Sequence, residues 1–101
     1  MLFFILFWNK IKDMNNKNEI AVIINSVLVK SDPMKLISMG APKNEYEIEA
    51  KMIADILIKN DSMICSPKII HDVLLKQFDE ELTYDDCSNI SKEITRALSK
   101  R

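Results

Sequence analysis

Ser31-Asp32-Pro33-Met34, followed by Gly40-Ala41-Pro42-Lys43-Asn44-Glu45-Tyr46-Glu47, is the stretch on which the fold turns. Asp32-Pro33 stops a helix: the residue before proline is pushed out of the α region, and proline has no N–H with which to continue. Asp32 can in turn cap a short helical turn with Pro33 at its first position, presenting Met34, Leu36, Ile37 and Met39. Gly40, the one glycine in 101 residues, supplies a positive φ where that turn ends. Ala41-Pro42-Lys43 leads on in an extended form. Asn44 and Glu47 have the spacing of a capping box, with Asn44 as cap and Glu47 reaching back. The segment reads as a helix stop, a turn and a helix start.

Working outward, Glu19 to Lys30 carries Ile20, Ile24, Val27 and Leu28 at helical spacing. Its β-branched content would suit a buried strand, but its length favours a three-turn helix capped by Asn16 or Asn18. After the central segment, a helix is expected from Glu45 to about Lys59. Tyr46, Ala50, Ile53, Ala54 and Leu57 form one stripe, Met52 and Ile56 widen it, and Asn60-Asp61-Ser62 ends it. Glu45, Glu47 and Glu49 complement the positive end of its dipole. Ser66-Pro67 opens a third helix with core face Ile70, Val73, Leu74 and Phe78, closed by Asp79-Glu80-Glu81. Thr83 or Asp86 caps a fourth with face Cys87, Ile90, Ile94, Ala97 and Leu98. The expected fold is all-α: a compact bundle of about four helices plus a short helical turn.

Residues 1–8, MLFFILFW, are entirely apolar and hold four of the seven aromatics. Eight residues fall short of the ~20 that span a bilayer. A signal peptide fits badly, because no Lys or Arg precedes the run and no small-x-small site follows it. The run reads in three ways: an element packed on the core, a membrane-surface or partner-binding tip backed by Lys10 and Lys12, or an upstream extension with Met14 as the working start. The polar Met14-Asn-Asn-Lys-Asn favours the third. The expected organisation is a 1–13 apolar extension and a 14–101 single helical domain.

Composition excludes several function classes. A net charge of −1 supplies no field for nucleic acid, and a helix-turn-helix DNA reader lacks its basic stripe. Beyond its two cysteines a zinc site would need two more ligands, and the chain offers one histidine. His71 lies next to Asp72, but on a helix neighbours i and i+1 face different ways. It is expected as a polar-face residue. Cys87 falls on a core stripe as a buried thiol; Cys65, in a loop before a helix start, is expected to be the more reactive of the two. Glu45 and Glu49 share a helical face, and with His71 they would be the residues of a metal- or nucleotide-dependent enzyme. Dipole complementation explains the two glutamates more simply. Asp79, Glu80, Glu81, Asp85 and Asp86, with Tyr84, make an acidic, partly aromatic loop. It is either a solvated turn or a docking surface for a basic partner. Met34, Met39 and Met63 fall in connections that could line an adaptable contact surface.

The Asp32-Pro33 step and the Gly40-Ala41-Pro42-x-x-Glu45-Tyr46-Glu47 element resemble the hallmark of a small bacterial family, domain-of-unknown-function family 1871. Ser31 stands where that family usually carries Trp. The likeness covers roughly residues 15–80 and implies an all-helical cytoplasmic bundle with no established activity. Beside it, the residues themselves read as backbone devices: Asp32, Pro33, Gly40, Pro42, Asn44 and Glu47 as caps, turns and breakers, with Tyr46 and Glu45 left over. Tyr46 reads either as core with its hydroxyl paired or as a surface contact. The functional expectation is a non-catalytic cytoplasmic interaction or regulatory protein without cofactor, acting on a protein partner and not on nucleic acid. A narrower alternative is an immunity-type antitoxin that neutralises a basic, nuclease-like toxin through Asp79 to Asp86. The short chain also allows a homodimer, since added burial would help a small core.

Overall fold

A computed structural model describes the backbone of residues 2–100 and the side chains of residues 16–100. It contains four helices and, among the described residues, no strand. They are α1 (Leu2–Ser31), α2 (Glu47–Lys59), α3 (Pro67–Phe78) and α4 (Tyr84–Ser99). They close in a ring: α1 packs on α2 and α4, and α3 packs on the same two. The expected stripes form the interior. Ile20, Ile24 and Leu28 from α1 meet Ile53 and Leu57 from α2, Ile70 and Leu74 from α3, and Ile94 from α4 in one buried cluster. Each such side chain contributes about 1.5–3 kcal/mol relative to exposure.

Helix α1 is longer than the Glu19–Lys30 reading. Asn16 and Asn18 lie within it and cap nothing. No Pro or Gly occurs between residues 2 and 31, and interior asparagine costs at most about 0.7 kcal/mol, too little to stop a helix. The side chains of the 1–13 segment lie outside the described residues.

Three helices end on an aspartate in the left-handed conformation: Asp32 (φ 46°), Asp61 (φ 52°) and Asp79 (φ 55°). Asp and Asn tolerate this region better than other non-glycine residues because their short polar side chains bond locally. At the end of α2, Asp61 N–H donates to the Ile58 carbonyl and Ser62 N–H to that of Leu57, which satisfies the last turn. A chain with a single glycine thus ends three of its four helices with aspartate in this conformation. Gly40 does take the positive φ expected of it (101°), and nothing lies within 4 Å of where a Cβ would sit. Backbone conformation alone calls for glycine there.

Two expected side-chain caps are not made, those of Asn44 before α2 and of Ser66, which sits at the N-cap of α3 without a side-chain bond. The 33–40 segment is a series of tight turns, with Lys35 also left-handed (φ 60°), and not a helical turn. Helix α2 begins at Glu47, not Glu45, and its N-cap Tyr46 makes no side-chain cap bond. Asn44 contributes only its carbonyl, to Glu47 N–H at 3.1 Å, and Glu47 pairs instead with Lys51 at 3.2 Å. The cause is tertiary: the fully buried Tyr46 fixes the chain at this point, and an exposed capping box worth about 1 kcal/mol cannot move it. Thr83 does cap α4, its Oγ1 accepting from Asp86 N–H at 3.2 Å.

Candidate functional site

The α1–α2 and α3–α4 connections, which carry the singled-out residues, meet at one end of the bundle. The Tyr46 and Phe78 rings pack edge-to-face with centroids 6.1 Å apart. Pro33 and Lys35 share a groove of about 230 Å³ with Leu82 and Asp86.

The first connection is a closed hydrogen-bond knot. The Asp32 carboxylate accepts from the amides of Ile37 (3.0 Å) and Ser38 (2.9 Å) and from the Tyr46 hydroxyl (2.8 Å). The Tyr46 oxygen in turn accepts from Met34 N–H at 3.0 Å. Asp32 therefore caps its turn, but by reaching five and six residues ahead. Burial alone would raise its carboxyl; the two amides and the phenol outweigh that and hold it at about 2. Tyr46 is pushed up to about 12, by burial first and by the Asp32 carboxylate second. Tyr46 is thus a core residue with its hydroxyl paired. Pro42, Asn44, Glu45 and Glu47 are exposed around it.

The second connection is open. Asp79, Glu80, Glu81, Tyr84, Asp85 and Asp86 are all exposed, Tyr84 at 74%, and Leu82 tucks half-buried against the core. Beside them runs a groove of about 380 Å³ lined by Pro67, His71, Leu82, Tyr84 and the edge of Cys87. His71 is not a simple polar-face residue. Its Nδ1 lies 3.1 Å from Asp72 and its Nε2 lies 3.3 Å from Glu81, which returns toward α3 after the Asp79 turn. The expectation that His71 and Asp72 face apart is overturned: the Asp72 side chain bends back, held also by Lys68 at 2.8 Å. Asp72 and then Glu81 raise the imidazole above its ordinary value.

The remaining candidates separate. Glu49 is buried, and burial pushes its carboxyl up, with the Glu45 charge adding and the Gln77 side chain opposing. Glu45 is exposed, and neither glutamate lines the His71 groove. Among the described residues no three His, Cys, Asp or Glu side chains are grouped to hold a metal. Cys65 reverses its expectation. It is buried, its N–H donates to Thr95 Oγ1 at 3.0 Å, and burial pushes the thiol up to about 12, away from reactivity. Cys87 is buried as expected.

Sequence reasoning missed the His71–Glu81 contact and one buried acceptor, Asn25 Oδ1, which has no partner. No periodic rule links residues ten apart across a chain reversal. A lone polar residue on the apolar α1 stripe was the signal available for Asn25. No helix among the described residues is long and apolar enough to cross a membrane. No family model matches the chain, and neither the curated proteins nor the solved structures yield a match.

Proposed function

We propose that this chain is a non-catalytic interaction protein of the cytoplasm that docks a basic protein partner on the Asp79–Asp86 loop, and that it belongs to the bacterial family its Asp-Pro and Gly-Ala-Pro elements resemble. The observation that carries the reading is Tyr84, an aromatic left 74% exposed among five exposed acids. Such a residue supplies contact area at low entropic cost, and the surrounding carboxylates steer a cationic surface toward it. Of the motif residues, Asp32 and Tyr46 are by contrast occupied in holding the bundle end. Two buried free thiols suit a reducing compartment. The narrower form of the reading is an immunity-type antitoxin. It draws support from the same loop, since the active face of a nuclease is basic and would match it.

The test is affinity capture from native lysate, with bound proteins identified by mass spectrometry. Wild type and Glu45→Ala should retain the same basic protein. A variant with Asp79, Glu80, Glu81, Asp85 and Asp86 changed to Lys should lose it, as should Tyr84→Ala, and capture by wild type should weaken with salt. Unchanged capture after charge reversal removes the mechanism. Turnover by the pure protein that vanishes in Glu49→Ala would overturn the non-catalytic reading.

A further inference from the structure

One ion pair joins an acid of the docking loop to a side chain of α3, and it depends on a proton. Both ring nitrogens of His71 face carboxylate oxygens, Nδ1 facing Asp72 and Nε2 facing Glu81. A neutral imidazole carries one N–H and one lone pair. It can donate to only one of the two carboxylates, and its bare nitrogen then meets the lone pairs of the other. Only the imidazolium donates on both sides. Asp72 is also held by Lys68 at 2.8 Å, so it has a second cation when His71 is neutral. Glu81 has His71 as its ion-pair partner, is exposed, and lies on the loop beyond the Asp79 turn. A neutral ring serves only one of the two, and among the described residues Glu81 is the one without a second cation to hold it in place.

We propose that His71 is a proton-controlled latch on the acidic loop: the imidazolium joins Glu81 to α3, and the neutral ring releases it. The groups around the ring set the sense of the switch. Lys68 and Asp72 come from α3 itself, Glu81 from the loop, and Tyr84 and Cys87 from α4. The two carboxylates favour the charged ring and outweigh the opposing burial, so the latch is closed in mild acid and opens as pH rises through a midpoint above the usual histidine value. On the docking reading, on which this last step rests, closure has two effects. It occupies Glu81, and it places a positive charge beside the acids. A basic partner therefore binds more tightly once the latch opens.

The experiment is an NMR titration of the full ¹⁵N-labelled chain from about pH 5.5 to 8.5, spanning the histidine range. The His71 ring should titrate above the ordinary histidine midpoint. The amides of Glu80 to Thr83 should follow with the same midpoint and lose their heteronuclear NOE on the alkaline side. Glu81→Gln should lower the ring midpoint by a few tenths of a pH unit, the size expected for a half-exposed pair. His71→Gln should leave the loop without that transition. A loop that ignores the ring, or a ring midpoint unmoved by Glu81→Gln, overturns the latch. Hexalysine separates the latch from the docking reading. Its affinity for wild type should rise on the order of threefold across the midpoint and stay flat in His71→Gln. If hexalysine fails to bind at any pH while the NMR coupling persists, the docking reading fails and the latch stands. If hexalysine binds equally across the midpoint, the step from latch to affinity fails.

Discussion

Asp32 and Asp79 hold the same backbone conformation at the ends of α1 and α3, yet their carboxylates have opposite surroundings. Asp32 is clasped by two amides and a buried phenol. Asp79 stands in solvent at the head of an acidic loop. Both aspartates serve as helix stops; the difference lies in the chain beyond each of them. After Asp32 the chain closes on its own side chain and runs into a buried tyrosine, so the polar atoms are consumed internally. After Asp79 only Leu82 returns to the core and Glu81 pairs with His71, while the other acids stay exposed. Residue type and local geometry, taken alone, would not separate a structural aspartate from a surface one. The partner of the side chain does.

The comparison breaks first at Tyr46. Tyr46→Ala removes a fully buried ring and should cost about 3–5 kcal/mol in urea denaturation, a large part of the stability of a domain this size. Tyr84→Ala should leave the urea midpoint within about 0.5 kcal/mol of wild type, as expected for an exposed residue. Tyr46→Phe keeps the ring and removes one hydroxyl, and should cost about 1 kcal/mol. The two ionisations of the knot give it flanks. The Asp32 carboxyl is depressed in the fold, so its contribution is present above the usual carboxylate value of 3.8 and lost as pH falls toward about 2. Tyr46 is raised, so its contribution is whole below 10 and lost as pH rises toward about 12. Urea midpoints against pH should show both declines in wild type, a flattened acid limb in Asp32→Asn and a flattened alkaline limb in Tyr46→Phe. The smallest effect sharpens the contrast most. Asp79→Gly should stabilise by about 0.5 kcal/mol by relieving a left-handed residue. Asp32→Gly should destabilise, because the same relief is outweighed by the lost clasp. Stabilisation by both would mean that the knot contributes nothing.

The sequence made the helices and their inward faces legible because burial is periodic. Every residue of the Tyr46–Leu57 stripe is buried, as are Ile70, Val73 and Leu74 in α3 and Cys87, Ile90, Ile94 and Leu98 in α4. Gly40 and the helix stop at Asp32 were legible because proline and glycine act locally. The α1 start was not, since Asn16 and Asn18 look like caps but carry too little energy to act as one inside a continuous helix. The Asn44–Glu47 box failed for the converse reason, a local preference overruled by a distant anchor. The Asp32–Tyr46 bond and the His71–Glu81 contact depend on the path of the intervening chain, which no spacing rule encodes. Exposure of the acidic loop was legible; its attachment to α3 was not.

The chain's two phenols sit at the two extremes of accessibility, one sealed at 0% and one at 74%. A ring-nitrating reagent should therefore mark position 84 in the native protein and reach position 46 only when the bundle opens. Labelling at the two sites keeps separate clocks, one running with collision at the surface and the other with excursions out of the folded state. A partner seated on the acidic loop would slow the first, while the second would respond only to stabilisation of the whole.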